Sequence, residues 1–281
     1  MRTVVHPGKA AHQRLATVPC KAVAVEIDLE AGLSVGDALA RGLARKGFSS
    51  GYVTLRDIAL APLHYVIPAD APDASHIAWY SETHRLPAAR VQEAGCMVGY
   101  RDGAPFLHCH GLWSGNGGTQ MGHLLPSESV IANDCKASGW GLVGAEMVAR
   151  ADDETNFTLF APEAKAGDVS SSQGRRAVLA AVRPNRDLIG AISEIAEHHG
   201  LSRFELHGIG SLVGCRLVSG NELDWHATEV LILEDDAARL QTAAIRPQVA
   251  AVDREGRIAR GHLVAGENAV SVTFELLLVE R

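Results

Sequence analysis

His108 and His110 flank a single residue in the run Ala104-Pro105-Phe106-Leu107-His108-Cys109-His110-Gly111-Leu112-Trp113. Side chains of a strand alternate between its faces, so both imidazoles project to one side and Cys109 to the other. Two imidazoles placed this way are close enough to share one cation. A third, His123, follows beyond Gly115, Gly117 and Gly118, where a turn can return it to the same face. Three neutral imidazoles with an open fourth position make the ligand set of a catalytic zinc site, in which bound water is acidified toward neutral pH. Imidazole suits other first-row metals as well, so Zn2+ is named first, with manganese, iron or nickel as substitutes. Cys109 has the soft chemistry of a ligand but faces away, and is read as a core thiol.

An HxH pair alone is more often two exposed or hydrogen-bonded histidines; His123 is what turns the reading toward a metal. Chemistry there also needs a general acid or base and a group that orients the substrate. Arg56 in TLRD, Glu82 and His84 in YSETHR, and Glu128 after GHLLPSE are the candidates, each with a plainer reading as a solvated charge. Arg56 could bind a carboxylate bidentately. His207 could stand on a comparable strand of the second half or be a satisfied core histidine. Trp113 and Trp140 are expected to pack, and His198-His199 to sit at a helix C-terminus. The glycines of SGNGG lack the Lys-Ser/Thr of a phosphate loop.

These groups have to be positioned by sheet. Residues 21–30 alternate apolar and polar, then SVGDALARGLARKG reads as a helix ended by Gly47. GYVTLRDIAL (51–60) is strand-like, Pro62 to Ser75 is read as a loop, and Asp102-Gly103 is a hairpin turn between two apolar runs. The second half repeats the order: strand 177–184, helix 186–200 ending at Gly200, then SRFELHGIGSLVG, TEVLILEDD, RPQVAAVD and VSVTFELLLVE. Met121-Gly122-His123-Leu124-Leu125 matches Arg260-Gly261-His262-Leu263-Val264. Two copies of one unit are therefore expected, over 1–163 and 177–281, joined by a polar, aperiodic linker at 164–176.

Composition narrows the function. With 47% hydrophobic and 21% charged residues the chain can bury a core. A net charge of -7 without a basic cluster argues against nucleic acid as the partner and favours a small molecule or a protein. No apolar run approaches the roughly 20 residues of a membrane span. The first residues lack a secretory apolar block and the five cysteines lack a CxxC pair, so a reduced, cytoplasmic protein is expected.

The motif Arg101-Asp102-Gly103, Pro105-Phe106-Leu107-His108-Cys109-His110 and Gly122-His123-Leu124 resembles the plant-and-prokaryote conserved (PPC, or PCC) domain. The likeness covers about residues 20–162. In the second half it rests on Asp253-Arg254-Glu255-Gly256 and Gly261-His262-Leu263, with Arg246-Pro247-Gln248 where HxH is expected. The resemblance implies an α/β (α+β) fold of two tandem domains, each a mixed, mostly antiparallel sheet with a packed helix. It further implies metal binding by the histidines and assembly as a homo-oligomer, a trimer in many relatives. The Arg-Gly-Arg-Pro core of the plant AT-hook is missing, so the plant DNA-binding role does not carry over.

The expectation is a metal-dependent, zinc-containing hydrolase or lyase acting on a small polar metabolite, a carboxylate among the candidates. Two alternatives stand beside it: a DNA-associated regulatory module, and a metal- or metabolite-binding protein without turnover.

Overall fold

Alternation at Lys21–Leu29 sets the core of the first strand, but in the computed structural model that strand starts six residues earlier. The structure describes residues 1–115, 117–166, 173–234, 239–241 and 244–281. In the first half, β1 (Leu15–Leu29) leads into helix α1 (Val35–Arg45) and β2 (Gly51–Leu60). Four short strands follow: β3 (Leu63–Val66), β4 (Pro68–Ala69), β5 (Trp79–Tyr80) and β6 (His84–Leu86). Then come β7 (Ala89–Arg101), β8 (Ala104–Gly115), β9 (Gly118–Leu124), β10 (Cys135–Val143), β11 (Ala145–Ala151) and β12 (Thr158–Ala164). The second half runs β13 (Arg175–Val182), helix α2 (Leu188–His198), β14 (Arg203–Leu212), β15 (Cys215–Arg216), β16 (Glu222–Leu223) and β17 (Thr228–Ile232). It ends with β18 (Arg239–Gln241), β19 (Gln248–Val252), β20 (Ile258–His262) and β21 (Val270–Glu280).

The fold is thus mixed α+β: among the described residues, a mostly antiparallel sheet with two helices. Followed through its pairings, the sheet runs β9-β8-β7-β2-β10-β1 and then β13-β21-β14-β17-β19-β20. The β1–β13 pair joins the halves, from Leu15↔Val182 to Ala22↔Arg175. That long-range pairing extends β1 beyond its own alternation, which shows only where one face is buried and the other wet. A short parallel contact sets β11 beside β7.

Local signals explain both helices. Ser34 caps α1 by accepting from the Asp37 N–H, and Asp187 caps α2 by accepting from Gly190. Val35, Ala38, Leu39 and Leu43 recur at helical spacing and are buried in the first core cluster. Gly47 and Gly200, both with positive φ, follow the helix ends. Between β7 and β8, Asp102 (φ 51°) and Gly103 (φ 77°) form the tight turn that the Asp-Gly pair predicts.

Two differences from the sequence reading have physical causes. The Pro62–Ser75 stretch contains β3 and β4, because β3 pairs with β9 and β6, partners distant in sequence. The proposed linker at 164–176 is partly strand: β12 ends at Ala164 and β13 begins at Arg175, while 167–172 lie outside the described residues. Asn116 of the SGNGG turn and the end of TEVLILEDD also lie outside them.

The halves fold against each other. The larger core cluster unites Val91, Cys96 and Cys109 of the first half with Ile209, Leu231 and Leu277 of the second. The β8 face carrying His108 and His110 is turned toward β17 and β21. Among the described residues, no helix is long and apolar enough to cross a membrane.

Candidate metal centre

Hairpin register brings the histidines together. In the β7–β8 ladder His108 lies opposite Met97 and His110 opposite Gly95, while Cys109 pairs with Cys96 on the other face, where both thiols are buried. The Sγ atoms of those cysteines lie 2.8 Å apart. The next hairpin sets His123 directly opposite His110. On its far side His123 faces Val66 of β3. Gly122 permits this approach, because a Cβ there would stand 2.4 Å from the Val66 carbonyl oxygen. The ring centroids are 4.5 Å apart for His108 and His110, 4.9 Å for His108 and His123, and 5.3 Å for His110 and His123.

A fourth group comes from the other half of the chain. Glu229 of β17 places a carboxylate oxygen 2.5 Å from His110 Nε2. One ligand atom from each of His108, His110, His123 and Glu229 lies within 4.8 Å of the others, so the four could hold a metal ion. The fourth position, expected open, faces a carboxylate.

The outer hydrogen bonds fix how the rings present themselves. His108 Nδ1 donates to the buried carboxylate of Glu275 on β21. His110 Nδ1 donates to the Val230 carbonyl at 2.9 Å. Both Nε2 atoms are then left facing inward, 2.9 Å apart. Two imidazole lone pairs repel at that separation unless a proton or a cation lies between them. His123 Nδ1 is buried without a hydrogen-bond partner among the described residues. An orphaned ring nitrogen, two converging Nε2 atoms and a carboxylate are a donor set that a divalent first-row ion satisfies.

The electrostatics agree. Burial holds His108 neutral, with a pKa down at about 3, and the neighbouring His110 adds to this. Burial likewise pushes His123 well below its usual value, aided by His108 and His110. Burial opposes charge on His110 too, but the Glu229 carboxylate and the Val230 carbonyl outweigh it and raise its pKa. Glu229 is lowered in turn, the His110 charge and hydrogen bond outweighing burial. Burial raises Glu275 to about 8. Without an ion the cluster therefore concentrates its proton on His110, at the point where the ligand atoms converge.

Beside the cluster opens a cavity of about 380 Å³, lined by His108, His123, Glu229 and Glu275 at one end and by aromatic side chains along its walls. None of Arg56, Glu82 and Glu128 lines it. Arg56 on β2 is half-exposed, bonded to the Glu93 carboxylate at 2.9 Å and the Glu234 carbonyl at 3.0 Å. Glu82 is exposed. Glu128 pairs with His64 Nδ1 at 3.1 Å. His84 stacks on Tyr65 instead. His207 is a core histidine whose Nε2 accepts from Trp140 Nε1 at 2.9 Å and whose Nδ1 lies 2.7 Å from a Glu234 carboxylate oxygen. Charge and proximity to a motif selected Arg56, Glu82 and Glu128, and neither reports which way a loop or strand face points.

Glu229 and Glu275 were missed. Glu275 had a signal: a lone acid inside the apolar run VSVTFELLLVE, where a buried carboxylate needs a partner. Glu229 in TEVLILEDD looks like the polar member of an ordinary alternating strand.

No protein-family model and no curated protein matches the chain. Solved structures similar to it include a metal-containing protein of Archaeoglobus fulgidus, at 20% identity and a TM-score of 0.39, over 50% of this chain and 94% of that one. Another, from Pyrococcus horikoshii, has 14% identity and a TM-score of 0.38, over 52% of this chain and 96% of that one. That second structure is of a plant- and prokaryote-conserved (PPC) protein, the family that this sequence resembles.

Proposed function

We propose that the chain is a metal-dependent hydrolase or lyase of a small metabolite, its ion held by His108, His110, His123 and Glu229. The observation that carries this reading is four ligand atoms within 4.8 Å of one another at the end of a cavity large enough for a small molecule. When bound, such an ion supplies Lewis acidity toward a carbonyl and makes water a nucleophile near neutral pH. The protein's part is to hold the donors. Glu275 and the Val230 carbonyl lock the His108 and His110 rings with Nε2 inward, so little reorganisation accompanies binding. Zinc is the first choice, and the added carboxylate keeps manganese, iron and nickel in range. Ser211 and Thr273 line the cavity and offer hydroxyls to a polar substrate.

We also propose that the chain is a tandem of two PPC-like domains, the second having lost its own histidine pair. What supports this is register: His110 opposes His123 across β8–β9, and Gln248 opposes His262 across β19–β20. Arg246 and Gln248 then occupy the places of His108 and His110. The second copy supplies Glu229 and Glu275 to the first copy's site.

The test is ion content. The purified chain should carry close to one equivalent of a first-row metal by mass spectrometry, and the His108→Ala/His110→Ala double variant close to none. Equal content in both would end the reading. Turnover would then be sought with the loaded protein against esters, amides and lactones.

A further inference from the structure

The histidines account for one end of the cavity, and its remaining walls have a chemistry of their own. Phe106 shares the strand face of His108, two residues away, and its ring meets Phe160 edge to face at 5.5 Å. From another part of the chain, Trp79 stacks on Phe157 at 5.5 Å with 26° between the planes. Tyr80 lies 6.3 Å from Phe157 and 5.3 Å from His123. Together these rings bound a slot that leads to the ligand cluster.

Among the described residues Arg101 is the one Lys or Arg that lines this slot, its guanidinium carbon 5.7 Å from the Phe106 centroid. Its ion pair is with Asp102, through Nε at 3.7 Å, and the two side chains are 50% and 92% exposed. Such a pair is worth little. The terminal nitrogens of Arg101 have no hydrogen-bond partner among the described residues, which leaves its forked edge free for a carboxylate. The slot's acids, Glu229 and Glu275, are both at the other end and engaged with His110 and His108.

We infer that the slot binds an aromatic carboxylate, its ring held flat among Phe106, Phe157 and Trp79 and its carboxylate on Arg101. The far end of the ligand would then point at His108 and Glu229. Positions 106 and 108 are separated by roughly 6.6 Å along the strand, about the length of a ring with a short side chain. This rests on reading the cavity as the substrate site, and it narrows the substrate class of that site. An aromatic amine would fit the walls but set like charge against Arg101.

Calorimetric titration of the zinc-loaded full chain tests it, with 3-phenylpropionate, butyrate and phenethylamine as probes. Phenylpropionate should bind saturably, and butyrate and phenethylamine at least about tenfold more weakly. Losing a charge-assisted hydrogen bond in Arg101→Gln should weaken phenylpropionate by about tenfold to a hundredfold. Arg101 is half-exposed, so this variant is expected to fold, and its circular dichroism would confirm that. Absent binding of phenylpropionate, amine binding as tight as the acid, or unchanged affinity in Arg101→Gln would each overturn the inference. Metal content of the same samples separates the two readings. An ion without phenylpropionate binding defeats the inference alone, whereas Arg101-dependent binding without any ion defeats the metal reading alone.

Discussion

His110 on β8 and Glu229 on β17 meet with 2.5 Å between Nε2 and a carboxylate oxygen, although they belong to opposite halves of the chain. The second half is therefore part of the candidate site as well as its support. Glu229→Gln keeps the size and a hydrogen bond but removes the anionic donor. Zinc affinity, measured by competition with a chelating dye, should fall by at least about tenfold. Unchanged affinity would place Glu229 outside the ligand set.

Glu275 acts through His108. A carboxyl oxygen of Glu275 accepts from Nδ1 and so fixes the tautomer that aims Nε2 inward. Groups that orient metal ligands in this way typically cost about 10- to 100-fold in metal affinity when removed. Glu275→Ala is expected in that range, with Glu275→Gln recovering much of the loss because its amide oxygen can still accept from Nδ1. Equal loss in both variants would deny the orienting role.

The same residue predicts a pH dependence in chelator-treated protein. Burial holds the Glu275 carboxyl at about 8, above its ordinary 4.5. The folded state then binds more protons than the unfolded state between those values. The stability this group contributes is fully present below 4.5 and is lost as pH rises through 8. Glu275→Gln has nothing to ionise there. Its unfolding free energy should gain on that of wild type as pH rises from 5 to about 9, by on the order of a few kcal/mol at the alkaline end, read as a rise in relative melting temperature. Parallel curves for the two proteins would contradict this.

Arg56, Glu82 and Glu128 stand away from the cavity, each exposed or paired with another surface group. Arg56→Ala, Glu82→Ala and Glu128→Ala should leave metal content unchanged and shift stability by less than about 1 kcal/mol, as exposed ion pairs do. A drop in metal content in any of them, with folding intact, would return that residue to the site.

What the sequence could reveal follows from which interactions are local. The strand period places His108 and His110 on one face, and the Gly-rich turn returns His123, because both are hairpin properties confined to residues 104–124. The Asp102-Gly103 turn, both helix caps and the two helix-ending glycines are local in the same sense. Glu229 and Glu275 reach the histidines only after the sheet folds back on itself, a contact that no periodicity in β17 or β21 encodes. The extension of β1 onto β13 is hidden for that reason, as is β3, whose few residues pair with the distant β9, while β4 is only two residues long. Arg56 shows the converse. Its chemistry suits a carboxylate, but its strand face points it at Glu93.

The most direct test of the central claim is X-ray diffraction from zinc-soaked crystals, recorded on both sides of the zinc absorption edge. One strong anomalous peak is expected in each chain, within bonding distance of His108, His110, His123 and Glu229. A peak elsewhere, or no peak among those four side chains at saturating zinc, would contradict it.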